Sequence, residues 1–173
     1  MRRIRMCLLA MYLALLCFGT TVLNNASSSE PPQMNGDSPL QETLTWLEDK
    51  LPVYAKQRLE VRAANRCVLA ITYKVDSADL SQAKVYIPLA DLDFRSVRVS
   101  RSGGSDAWAL NFHTLEDKPS IRFMLYQGIA AEGGQKSEET ILIADQGRAK
   151  KVAQVLRQAI KLCVEAEGQR NEQ

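Results

Sequence analysis

The feature that most constrains the fold is a series of short runs in which apolar residues recur at every second position. The run Leu59–Ala63, for example, alternates apolar residues with the charged residues Glu60 and Arg62. Period-two alternation with one polar side is typical of half-buried antiparallel strands. About seven such runs occur: Leu59–Ala63, Cys67–Tyr73, Val85–Leu89, Val97–Val99, Trp108–Phe112, Ile121–Leu125 and Ile141–Ile143. Turn-forming stretches separate them, among them AANR, DSADLSQA, ADLDFRS, SGGSD, LEDKP and AAEGGQKSEE.

Helical spacing replaces this pattern at both ends of the region. In SPLQETLTWLEDKLP the leucines fall on one side, which predicts a helix that begins at a Ser38 cap and ends at Pro52. Trp46 lies next to these leucines on the helix surface, where we expect the edge of the buried face. The stretch DQGRAKKVAQVLRQAIKLCVEAE predicts an amphipathic helix with Asp145 as N-cap and Cys163 on its apolar face. The predicted class is therefore α+β, with a helix, about seven antiparallel strands and a C-terminal amphipathic helix.

This order of elements resembles the pleckstrin-homology-like fold over roughly residues 56 to 166. The resemblance implies a small barrel or an orthogonal sandwich of two sheets, with the C-terminal helix closing one end. The turn AANR is not the Lys/Arg-rich loop with which the phosphoinositide-binding members hold their ligand. A lipocalin-type barrel is the alternative, but it needs an eighth strand that the alternation does not indicate. The stretches TLTWLEDKLP, IPLADLD and AIKLC also look like parts of small secreted bacterial domains of unknown function.

The first 26 residues have the order of a secretory signal peptide. Arg2, Arg3 and Arg5 precede the uncharged run Cys7–Val22. Ala26 and Ser28 could serve as the two small residues before the cleavage site, and Cys17 with Gly19 is an earlier alternative. An uncleaved membrane anchor is the alternative, because the apolar run is almost as long as the ~20 residues that span a bilayer. We therefore expect an exported protein, periplasmic or extracellular, that is tethered to a membrane only if this segment is retained.

The rest of the chain divides into three predicted parts. Residues 27–38 are rich in Ser, Pro, Asn and Gly and are predicted to form a flexible linker. Residues 39–167 are predicted to form one globular domain, and residues 168–173 a disordered tail.

The net charge changes when the signal segment is removed. The whole chain has 22 basic and 20 acidic residues, a net charge of +2. Three of the basic residues are the N-terminal arginines, so the remainder has 19 − 20 = −1. Nucleic-acid binding needs clustered positive charge, and no nucleic-acid partner is predicted.

Cys67 and Cys163 are the cysteines that remain after signal removal. An even count in an exported chain indicates a disulfide. Cys67 has the inward parity of Leu69, and Cys163 has the phase of the buried side of its helix. The bridge would stabilise the fold by about 4 kcal/mol in the chain-entropy model. Two buried free thiols are the alternative.

His113 is the single histidine of the chain. With Ser105 and Asp106 of SGGSD it could form a Ser–His–Asp arrangement. The favoured interpretation is a Gly-Gly hairpin turn, because the strand–elbow–helix context of such a nucleophile is missing. No catalytic residue is therefore predicted.

Asp91 and Asp93 form a D-x-D pair that Asp76 and Asp79 could complete as a divalent-cation site. The favoured interpretation is that these aspartates shape a turn, so no metal or cofactor is predicted.

Arg62 and Arg98 could form a positive face if their strands were neighbours. The favoured interpretation is an ordinary solvated surface.

These observations predict an exported, non-enzymatic binding module that recognises a protein, a peptide or an envelope component. One alternative is a hydrolase of a glycan-like substrate with two carboxylates about 5–9 Å apart. The other is a membrane-tethered assembly factor, which depends on retention of the N-terminal segment.

Overall fold

The computed structural model describes residues 39–65, 67–74, 82–127 and 130–171. The predicted signal peptide 1–26 and linker 27–38 lie outside the described residues. The Ser38 cap and the aspartates Asp76 and Asp79 lie outside them as well.

Two helices flank a region of eight strands, which confirms the α+β class. The helices are α1 (Pro39–Tyr54) and α2 (Gln146–Asn171). The strands are β1 (Leu59–Asn65), β2 (Val68–Lys74), β3 (Gln82–Pro88), β4 (Arg98–Arg101), β5 (Trp108–His113), β6 (Ile121–Gln127), β7 (Ala130–Lys136) and β8 (Glu138–Ile143). Single 3-10 turns at Leu89–Asp91 and Leu115–Asp117 interrupt the connections. Within the described ranges, neither helix has the length and hydropathy that crossing a bilayer requires.

The strands divide between two antiparallel sheets and do not close into one barrel. The five-stranded sheet has the order β1-β2-β3-β6-β7, and the three-stranded sheet has the order β4-β5-β8. The β4–β5 hairpin thus lies in the chain between β3 and β6, which pair directly with each other. This partition depends on pairing between segments distant in sequence, and alternation within a strand contains no information on such pairing.

Strand β7 corrects the prediction of about seven strands, since AAEGGQKSEE had been interpreted as a turn. It pairs with β6 from Ala130 to Lys136, and nearly all its residues are exposed. A strand without a buried side shows no apolar alternation. Its Gly134 lies opposite Phe123, and a Cβ built there would be 2.8 Å from Cζ of the phenylalanine. Glycine therefore lets the aromatic ring lie over the β7 backbone.

The core lies where the apolar sides of the two helices meet each other and the sheets. Leu44, Leu47 and Leu51 of α1 are buried, as the helical spacing predicted. The predicted apolar side of α2 is buried too: Val152, Val155, Leu156, Ala159, Ile160 and Cys163. α1 packs against α2, which also contacts β4, β5 and β8.

Helix α1 continues through Pro52 to Tyr54, so its predicted end is wrong. In the last turn a proline costs a helix only one backbone donor. The bond from the N–H of Ala55 to Leu51 O, 2.9 Å long, is retained. Tyr54 is buried edge-on against Trp46, with ring centroids 6.1 Å apart, which confirms the predicted buried edge.

Helix α2 begins as predicted. The Arg148 N–H donates to Oδ1 of Asp145 at 2.9 Å, which is the hydrogen bond of an N-cap. The helix continues to Asn171, past the predicted domain end at residue 167.

Candidate functional site

A groove of about 800 Å³ opens beside the inner face of the five-stranded sheet. Its apolar floor, as we call it below, consists of Tyr73, Ala83, Val85, Phe123 and Leu125. Tyr73, Ala83 and Leu125 are direct cross-strand neighbours on β2, β3 and β6. Val85 and Phe123 form the next row, beside the buried core. The floor is therefore the part of the core-facing sheet surface that no described element covers completely.

Four cations surround the floor, and we call Lys56, Arg58, Lys74 and Lys136 the cationic rim. One acidic residue, Glu139, also lines the groove. The charge of the described lining residues is thus 4 − 1 = +3. A lining with this composition favours an anionic ligand with an apolar part.

The rim is held in place by backbone hydrogen bonds. The N–H of Lys56 donates to Leu142 O at 2.8 Å, and the N–H of Lys74 donates to Arg58 O at 3.0 Å. These bonds fasten the connection between α1 and β1 to β8 and to the end of β2. The rim positions are therefore set by the sheets.

Two rim lysines form ion pairs of different burial. Lys74 Nζ is 2.6 Å from Oε1 of Glu60, and both side chains are more than half exposed. Lys74, by its hydrogen bond and its charge, lowers the pKa of Glu60. Lys136 Nζ is 2.9 Å from Oε2 of Glu139, whose side chain is 8% exposed. Lys136 also lies 5.9 Å from the centroid of the Phe123 ring, so it bridges the acid and the floor.

Two buried polar atoms in the groove wall lack a hydrogen bond among the described residues, the hydroxyl of Tyr73 and Oε2 of Glu139. Lys136 approaches the latter at ion-pair distance without hydrogen-bond geometry. The other oxygen of Glu139 accepts from the N–H of Thr140 at 2.9 Å. Burial, and secondarily the charge of Glu139, raises the pKa of Tyr73. Buried polar atoms without a hydrogen bond are uncommon in folded proteins, and the Tyr73 hydroxyl is the one of the two that also has no ion pair.

The histidine and the serine of the candidate triad are not brought together. Ser105 lies in the turn of the β4–β5 hairpin, where the N–H of Ser102 donates to Ala107 O at 3.0 Å and Gly104 has φ +78°. His113 ends β5, about 16 Å from the start of that strand at a rise of ~3.3 Å per residue. Its Nδ1 lies 3.0 Å from Thr114 O. The stretch SGGSD is a hairpin turn, as the favoured interpretation held.

Asp93 likewise shapes a turn, because its Oδ1 accepts from the N–H of Arg95 at 2.9 Å. In the ranges that the structure describes, no group of three or more His, Cys, Asp or Glu residues is placed to hold a metal ion.

Arg62 and Arg98 are both exposed, but they belong to β1 and β4 in different sheets. They are not strand neighbours, so the condition for a shared positive face is not met.

Cys67 and Cys163 are joined as a disulfide, with Cα atoms 5.6 Å apart, which confirms the predicted pair. Cys163 is buried on α2, and Cys67 is half-buried in the turn before β2. The bridge fastens the first hairpin to the C-terminal helix. Neither cysteine is among the residues that line the groove.

Sequence reasoning did not single out the groove as a site. One signal was present, because Glu139 has the inward parity of Ile141 and Ile143 and so places an acid on the core side of β8. The cations gave no such signal, because they lie at strand ends and in a connection that only the fold brings together.

No family model, curated protein or solved structure matches the chain.

Proposed function

We propose that this protein is an exported, non-enzymatic binding module that recognises a protein, a peptide or an envelope component in the groove. The observation that carries the proposal is the apolar floor inside the cationic rim. A lining that combines apolar side chains with a few convergent polar groups is typical of ligand sites, and so is a volume in this range.

The carboxylate composition of the groove favours binding over glycan hydrolysis. A two-carboxylate mechanism needs a second acid facing the same cleft. Among the described residues that line this groove, Glu139 is the one carboxylate. It is already held by the ion pair with Lys136.

Export is supported by the N-terminal sequence pattern and by the disulfide, because such bonds persist in oxidising compartments. The pleckstrin-homology-like assignment stays a prediction, since it depends on element order alone.

Affinity capture from native envelope and culture-fluid fractions tests the proposal. The baits are the wild type, Leu125→Gln in the floor, and Met124→Gln as the matched control. Met124 precedes Leu125 on β6, so its side chain lies on the opposite face of the sheet. We expect a component that the wild type and Met124→Gln retain and that Leu125→Gln loses. Equal retention by all three baits would show that the groove is not the binding site.

A further inference from the structure

We infer that the ligand is an acidic peptide segment that places one apolar side chain on the floor and carboxylates on the rim. This inference depends on the proposed function, because it names the ligand class of the same groove.

The dimensions of the floor favour a single apolar side chain. The floor crosses three strands, which is about 10 Å at a strand spacing of ~4.8 Å. Along the strands it extends over two residues, or about 7 Å. A leucine or phenylalanine side chain fits this area, whereas a long alkyl chain would extend beyond it.

The positions of the cations favour charge on more than one side of that apolar group. Lys56 and Arg58 come from the α1–β1 connection, Lys74 ends β2, and Lys136 ends β7. An amphiphile with one anionic head group supplies charge at one end only. A peptide with acidic residues before and after its apolar residue supplies charge at several points along its length.

The existing ion pair of Lys74 does not prevent this use of the rim. Its partner Glu60 is about half exposed, and exposed pairs contribute little to stability. A ligand carboxylate can therefore replace Glu60 at small cost.

The polar atoms in the wall argue against a purely hydrocarbon occupant. Tyr73 and Glu139 both line the groove. The buried hydroxyl of Tyr73 has no hydrogen bond in the described part of the chain, and the buried Oε2 of Glu139 has only the ion pair with Lys136. An alkyl chain packed against them would exclude water and offer no donor or acceptor. A peptide brings backbone amides and side-chain oxygens to the same wall.

The test uses four synthetic probes with the purified, exported chain. The first is a capped pentapeptide with a central leucine between two pairs of glutamates. The second replaces the glutamates with lysines, and the third replaces the leucine with glycine. The fourth is dodecyl phosphate, kept below its micelle concentration. Binding is measured by titration calorimetry, and the site is mapped by NMR shift changes of backbone amides.

We expect the glutamate–leucine peptide to bind with shift changes at Phe123, Leu125 and Lys136. The lysine peptide should not bind, and the glycine peptide should bind at least threefold more weakly, because the floor loses its contact. Raising the salt concentration from 50 to 300 mM should weaken binding severalfold, because partly exposed charges are screened.

Two variants with equal net charge distinguish the effect of the rim on binding from the effect of the overall charge. Lys56→Glu should weaken binding of the glutamate–leucine peptide about fivefold, since it removes one partly exposed pair and adds a like charge. Lys150→Glu makes the same charge change at an exposed position of α2 and should leave binding unchanged. Thermal unfolding checks that each variant is folded.

Four results would overturn the inference. Equal binding of the glycine peptide would show a purely electrostatic contact, and equal weakening by Lys150→Glu would show that the rim is not used. Groove shifts with dodecyl phosphate alone would indicate a lipid ligand, and the proposed binding function would then stand. No groove shift with any probe, together with equal capture by Leu125→Gln, would overturn the inference and the proposed function together.

Discussion

Tyr73 contributes both an apolar ring and a buried hydroxyl to the groove. Because the hydroxyl is desolvated and Glu139 is near, its pKa is raised from the ordinary value of 10.0. As pH rises above 10, the unfolded chain releases this proton before the folded chain does. The contribution of Tyr73 to the free energy of unfolding is therefore complete below pH 10. It decreases as pH rises from 10 toward the raised pKa of the folded state.

Tyr73→Phe keeps the ring and removes the titrating group. We expect the wild type to lose stability relative to the variant above pH 10, by up to about 1.4 kcal/mol per pH unit. Denaturant unfolding at pH 8 to 11 measures the difference. Tyr86→Phe on β3 is the matched control, and parallel pH profiles for wild type and Tyr73→Phe would contradict the burial argument.

Gly134 on β7 is required by the ring that lies over it. A Cβ at this position would be 2.8 Å from Cζ of Phe123, so Gly134→Ala must displace the ring and part of the floor. We expect a loss of about 1–3 kcal/mol in the free energy of unfolding, the usual cost of overpacking. Gly103→Ala is the control, because no atom lies within 4 Å of its added Cβ. Equal effects of the two substitutions on denaturant midpoints would show that Phe123 does not occupy this position.

At the scale of elements, the disulfide joins two parts of the chain that share no sheet. Its removal frees the unfolded chain from a cross-link with a sequence separation of 96 residues. We expect reduction to lower the free energy of unfolding by about 4 kcal/mol. Urea unfolding with and without reductant measures this difference. The double variant Cys67→Ala/Cys163→Ala should not respond to reductant, and a response there would mean that reductant acts elsewhere.

The elements with a buried side were predictable from sequence, whereas strand β7 was not. The apolar alternation of β2 and the helical spacing of α2 each reflect burial on one side. The same periodicities place Cys67 and Cys163 on the buried sides of their elements, which is why their pairing was predictable. Strand β7 has no buried side and contains two adjacent glycines, so its sequence resembles a turn. Pro52 indicates a helix end locally, but packing of Tyr54 extends the helix.

The site was harder to predict than the fold, because it exists only through long-range pairing. Tyr73 and Phe123 are 50 positions apart in sequence, and they meet through the register of β2, β3 and β6. Lys136 was assigned to a turn, so its place beside the floor could not be inferred. The parity of Glu139 was the one signal that could have indicated a polar group on the inner face.

At the scale of the whole molecule, the net charge of the chain does not indicate the local charge of the groove. The chain without its N-terminal arginines has a net charge of 19 − 20 = −1. The described residues that line the groove nevertheless have a charge of +3, from four cations and one acid. Acidic residues elsewhere on the surface account for the difference, so total charge is a poor guide to the preferred ligand.

The proposed export predicts a property of the intact molecule that mass spectrometry can check. We expect the exported chain to lack residues 1–26 and to have no alkylatable thiol before reduction and two after it, because two of the four cysteines lie in the removed segment. A mass that includes Met1–Val22 would instead favour the membrane-tethered assembly factor.

The cross-link between Cys67 and Cys163 also determines how the protein responds to mechanical force. When the two ends of the chain are pulled apart, the load passes through the sulfur–sulfur bond and bypasses the segment between the cysteines. That segment spans 96 positions, so about 330 Å of contour length cannot be released at ~3.5 Å per residue. Among the elements that the structure describes, α1, β1 and the end of α2 lie outside this loop and can extend under load. The floor, Lys74 and Lys136 lie inside the protected loop, whereas Lys56 and Arg58 precede Cys67 and lie outside it. The force would therefore act on one part of the cationic rim and bypass the floor.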